Sequence, residues 1–104
     1  MNTDFAKSLA AAAKQKQQDV INACWNKPAF KQLEQDLAYT GNKGQDFLQI
    51  DSTTVEALEN DVISTINELG GLDGIVSLDR VIQEAGFVIT YPTTGDFATI
   101  LFEQ

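Results

Sequence analysis

Six side chains stand out as candidates for chemistry or contact: Trp25, Asp46, Asp51, Glu56, Glu59 and Asp61. The five carboxylates fall within sixteen residues. Gathered at one end of a strand and the helix after it, their oxygens would suit a hard cation such as magnesium, or a paired-carboxylate hydrolase. The spacing matches no EF-hand loop, and nothing in the sequence sets two carboxylates across a cleft. The run is therefore read first as a solvated acidic face, with no metal and no cofactor expected. Trp25 is the sole tryptophan. It is the residue chosen for an interface, because aromatic anchors carry much of the binding energy at contacts; its other reading is a cover over the joint between two helices. Cys24 reads as a small buried apolar group, since activating it as a nucleophile would need Lys27 or a helix N-terminus.

Those elections follow from what the composition lacks. Of 104 residues none is histidine. A Ser-His-Asp triad, a Cys-His pair, His-ligated metals and an unperturbed side chain titrating near neutrality are all excluded. A single cysteine excludes an internal disulfide and a zinc ribbon, and fits a reducing cytoplasm. The glycine-rich runs Gly41-Asn42-Lys43-Gly44 and Gly70-Gly71-Leu72-Asp73-Gly74 lack P-loop spacing and read as helix stops and turns; phosphate binding at Lys43 or at a helix start near Thr53 is the lesser alternative. No apolar run reaches the roughly 18 residues of a membrane span, and the opening residues do not read as a signal peptide.

The formal net charge is −8 and the pI about 4.2, which argues against direct nucleic-acid binding. Charge is unevenly placed. Residues 1–43 hold six of the seven bases and four acids, a surplus of +2; residues 44–104 hold Arg80 against eleven acids, −10. The reading is one domain, with a mildly basic helical arm (1–43) and an acidic α+β body (44–104). The acid surplus is taken first as a solubilising surface. Mimicry of DNA, with carboxylates standing where phosphates would be, is the alternative.

The elements that must position these groups follow from hydrophobic spacing. Phe5, Leu9, Ala12/Ala13, Lys16, Val20 and Ala23/Cys24 recur at steps of three and four, predicting a helix over 3–25 capped by Thr3 or Asn2. Its polar middle, Lys14 to Asp19, predicts that it lies across the domain or projects from it, or is covered in an oligomer. Pro28 opens a second helix with Phe30, Leu33 and Leu37 on one face and Gly41 as its left-handed stop. Phe47–Ile50 reads as a strand. Thr53-Thr54-Val55-Glu56 has capping-box spacing, which gives Glu56 a capping task at the head of a helix carrying Val55, Leu58, Val62, Ile66 and Leu69 and ending at Gly70-Gly71. Ser77 caps a short helix, 78–85, stopped by Gly86. A hairpin closes the chain, with strands at 87–91 and 97–102 around Pro92–Gly95. Phe87, Ile89 and Tyr91 face one way, Val88 and Thr90 the other. Both faces are largely apolar, so the sheet is expected to be covered on both sides or to join another subunit's sheet. The fold class is α+β: a long N-terminal helix, and further helices packed on a small sheet ending in a C-terminal β-hairpin.

Gly44 with Phe47–Ile50, Val81-Ile82 leading into Gly86-Phe87-Val88, and the closing Ile100-Leu101-Phe102 give a layout that resembles small accessory proteins of tailed bacteriophages, as does the Ala- and Lys-rich opening; the stretch Gly70–Ser77 departs from it. The resemblance implies a viral or mobile-element origin and action in the cytoplasm of a bacterial host, or a place in a virion, and carries over no active-site residue. The expected function is that of a non-catalytic interaction protein, not an enzyme, that binds a host or viral macromolecule such as a protein through the acidic face or the long N-terminal helix, and forms a homo-oligomer through that helix or the hairpin. The alternatives are a minor virion or assembly component, and a small-ligand or nucleotide-sequestering protein.

Overall fold

The computed structural model describes residues 3–92 and 97–103. In chain order the elements are α1 (Thr3–Cys24), α2 (Pro28–Asn42), β1 (Phe47–Asp51), α3 (Ser52–Glu68), α4 (Leu78–Glu84), β2 (Phe87–Thr90) and β3 (Phe97–Phe102). This is the α+β arrangement the spacing predicts, long first helix included. β3 lies in the middle of an antiparallel sheet of order β1-β3-β2. Ile100 sits at its centre, opposite Leu48 on one side and Ile89 on the other. Alternation sends Ile50, Ile89, Ala98 and Ile100 inward, where they are buried with Phe30 and Leu33 of α2, Leu58, Val62 and Ile66 of α3, and Val81 and Ile82 of α4.

The opposite face of the sheet keeps Phe47, Phe97 and Leu101 at 38%, 55% and 43% exposure. The sheet is thus covered on one face by this chain's helices, and the expected second cover is not supplied by the described residues. Tyr91 lies beyond the end of β2. The turn predicted at 92–95 falls mostly outside the described residues, as does Asn2; Thr3 is already helical.

Helix ends also depart from the sequence reading at α2 and α3. The cap of α3 is Asp51, whose Oδ1 accepts from Thr54 N at 2.8 Å, so the helix begins at Ser52 and the Thr53–Glu56 capping box does not form. An aspartate at the close of a strand offers a carboxylate to the orphan N–H groups two residues earlier than Thr53 could. Gly41 does not stop α2, which runs on to Asn42. The left-handed residue is Gly44, at φ 92°. Glycine at 41 has a different cause: a Cβ there would sit 3.2 Å from Cε2 of Phe102. Ser77 caps α4 as expected, accepting from Arg80 N at 3.2 Å.

α1 is only half attached. Val20, Ile21 and Cys24 are its buried residues, whereas residues 3–16 are all exposed. Fourteen helical residues extend about 21 Å. The molecule measures 54 × 28 × 27 Å with a radius of gyration of 15.7 Å, against about 13 Å for a compact chain of this length. The first helix therefore projects. Lys16, the polar member of its apolar stripe, marks the point of departure: its Nζ donates to Leu69 O at 2.7 Å, at the C-terminal end of α3, where carbonyls favour a cation.

Candidate functional site

Trp25 is half-buried at the α1–α2 joint, edge-on to Phe30 with ring centroids 5.2 Å apart. Its free side forms one wall of a cleft of about 580 Å³, closed by Gln18, Ile21 and Asn22 of α1, Glu34, Leu37 and Ala38 of α2, Glu84 and Ala85 at the end of α4, and Phe87 and Phe102 of the sheet. Pro28 restarts the chain as a helix after a three-residue turn, which sets α2 against α3 and β1 and leaves the tryptophan at the bend. Phe87 and Phe102 are opposite each other in the β2–β3 register and meet edge to face, with centroids 5.3 Å apart. The floor is thus aliphatic and aromatic, and the charged members are Glu34 and Glu84. Glu84 lies 3.8 Å from Arg80 in an exposed pair, a geometry that contributes little. The volume falls inside the usual range for ligand and peptide-side-chain sites.

The five carboxylates do not come together. Asp46 is exposed before β1, and its carbonyl accepts from Phe102 N. Asp51 is spent on the α3 cap, and the Thr54 hydrogen bonds hold its carboxyl below the usual range. Asp61 is half-buried and reaches from α3 to α2, where its Oδ2 accepts from Ala29 N at 2.9 Å. α2 has no cap of its own, because the residue before Pro28 is Lys27 and makes no side-chain cap hydrogen bond. Asp61 is therefore a cap supplied across the fold. Glu56 and Glu59 are exposed on α3 and border a separate hollow of about 250 Å³ with Tyr91 and Phe97. Tyr91 OH donates to Asp79 Oδ1 at 3.1 Å. Burial, followed by the negative charge of Asp79 and Glu59, pushes its phenol up to about 12. Among the described residues no three Asp, Glu or Cys side chains are grouped so as to hold a metal ion.

Cys24 is fully buried, and burial raises its thiol above the ordinary value. That is the opposite of what a nucleophile needs. Of the six residues chosen from sequence, Trp25 alone belongs to the larger cleft. From sequence, Leu37, Phe87 and Phe102 have framework places, and nothing distinguishes Glu34 and Glu84 from other surface acids. The available signal was Gly41: a glycine inside a continuing helical pattern marks a close approach, here by Phe102.

Comparison of the chain with protein-family models, with curated proteins and with solved structures finds no match. No helix among the described residues is long and apolar enough to cross a membrane.

Proposed function

We propose that this chain is a non-catalytic interaction protein that engages a protein partner through the projecting arm of α1. One observation carries the reading. The apolar stripe that buries Val20 and Cys24 continues through Ala13, Ala12 and Leu9 into fourteen residues that are all exposed, with Leu9 at 56%. An amphipathic helix held beyond its own body presents an apolar face that a second surface can bury, at about 25 cal/mol per Å². The phage-like layout makes a host or viral protein the partner class this reading favours, with a second copy of the chain included among viral proteins. The test is a photo-crosslinking amino acid placed at residue 9 in cells, with the exposed loop position Asp73 as control. A discrete protein adduct from residue 9, absent from residue 73 and lost when Ala12 and Ala13 become Glu, is the expected result. Equal labelling at both positions, or none, refutes the reading.

A further inference from the structure

The two rows of α1 that carry its buried face run one turn past the last buried residue and end in polar side chains. Val20 steps back by four to Lys16, and Ile21 steps back by four to Gln17. Each of these polar ends is gripped, and by a different element. Lys16 Nζ donates to the main-chain carbonyl of Leu69 at 2.7 Å. Leu69 is the C-cap of α3, where carbonyls without helical partners carry partial negative charge. Arg80, in the first turn of α4, donates from Nη1 to Gln17 Oε1 at 2.6 Å. Successive helical residues point about 100° apart, so the two grips close on α1 from two directions. This matches the packing of α1 against both α3 and α4. Lys16 is exposed and Gln17 half-buried. Ordering two such long side chains costs conformational entropy, and a lysine that only kept the helix soluble would leave its ammonium in water.

We propose that Lys16 and Gln17, held by Leu69 O and Arg80, form a collar that fixes the root of the α1 arm and keeps fraying of the arm from reaching the body. They are positioning residues. The proposal rests on the reading of α1 as a contact arm and adds what keeps that arm ready. A projecting helix frays from its free end. The apolar anchors begin at Val20, so without a collar the loose segment extends to residue 19. With the collar it stops at residue 15, and Ala12 and Ala13 lie about one turn from a fixed point instead of two. The stripe is then presented as preformed helix, and less ordering entropy opposes its burial by a partner.

Lys16→Ala and Gln17→Ala each remove one grip at the surface, and the sign of the effect is diagnostic. Alanine is a better helix former than lysine or glutamine, so a helix governed by its own propensity would be tightened by either change. The collar predicts the reverse. Residue-resolved amide exchange in dilute protein should show the protection of residues 16–19 falling about fivefold in each variant, the weight of one solvent-facing hydrogen bond. The double variant should lose more than about tenfold. The amides of Val62 and Ile66, buried in α3, should keep their wild-type protection. In cells, the crosslink from residue 9 should weaken several-fold in the double variant, although Leu9, Ala12 and Ala13 are untouched.

Protection at 16–19 that is unchanged or raised in the alanine variants overturns the proposal. So does a loss shared equally by Val62 and Ile66, which would make these two side chains ordinary contacts of the body. A crosslink of undiminished strength from a double variant with loosened 16–19 also overturns it, because the root would then not prepare the arm. If residue 9 captures nothing even in wild type while exchange changes as stated, the root is held as described and it is the contact reading of the arm that fails.

Discussion

Removing the Asp61 carboxylate tests whether the start of α2, and with it the bend that carries Trp25, is held from α3. In Asp61→Ala the N–H of Ala29 loses its acceptor in a half-buried place, with no local side chain to replace it. A hydrogen bond to a charged acceptor contributes about 1.5–3 kcal/mol, and a missing N-cap costs about 1. Water reaches the site in part, which places the expected loss near 2 kcal/mol, or about 10 °C in Tm for a chain of this size. Asp61→Asn keeps an acceptor but not the charge that faces the helix N-terminus, and should retain about half of that stability. Lys27, which anchors the same bend to Ser64 and Glu68, remains in place in both variants. Denaturant unfolding followed by the fluorescence of the single tryptophan supplies the readout, with an unchanged m-value confirming that the folded and unfolded states are the same. An Asp61→Ala protein within about 0.5 kcal/mol of wild type, the range of an ordinary surface change, would refute the idea of a cap supplied across the fold.

Phe30→Ala empties a fully buried site between Trp25 and the core, and should cost about 3–5 kcal/mol, enough to leave a marginal domain largely unfolded at 37 °C; a midpoint shift worth under about 1 kcal/mol would show that Phe30 is not central. Asp51 and Glu68 both have folded-state values below the usual carboxylate range, so their contribution is complete above that range and lost as pH falls through the lowered values; Asp51→Asn, which still caps, should flatten the acid limb of Tm against pH, and an unchanged limb would contradict it. The Tyr91 phenol should stay protonated until about pH 12, so its contribution is present below the ordinary tyrosine value and lost as pH rises to 12; in Asp79→Asn the phenolate absorbance should appear at lower pH, yet above the ordinary value because burial is the larger cause.

The helices were readable because their signals are local. Pro28, Ser77 and the 3–4 spacing of Leu58, Val62 and Ile66 act within a few residues, and α2, α4 and α3 form where they place them. The strand pair at the C-terminus was readable from its alternation of faces. What could not be read was long-range. Asp51 competes with Thr53 for the head of α3, and the winner depends on where β1 ends against β3. Asp61 looks like one more surface acid until α2 is folded back beside it. The cleft is assembled from α1, α2, the end of α4 and two strands, and its two groups of walls, residues 18–38 and 84–102, are separated by more than forty residues of chain. Trp25 could be chosen because it is unique in type; Phe87 and Phe102 could not, because register alone makes them neighbours.

The stripe on α1 poses a physical problem that the fold leaves unsolved. A helix of about 14 residues in water is near the lower limit of independent stability, even when rich in alanine, because nucleation is unfavourable and nothing is buried. Here the body supplies the nucleus: Val20, Ile21 and Cys24 fix the last turns, and Ala10–Ala13 propagate with the best intrinsic propensity. Propagation alone protects each amide weakly, so residues 6–13 should exchange hydrogen rapidly in dilute protein while 20–24 exchange slowly. Covering the stripe with a partner surface adds burial to the same helix. Protection across 6–13 should therefore rise when the partner captured at residue 9 is added, and remain low in Leu9→Glu whether or not it is present. Strong protection in dilute monomer would mean that the arm needs no partner to be stable, and the case for a covered stripe would fail.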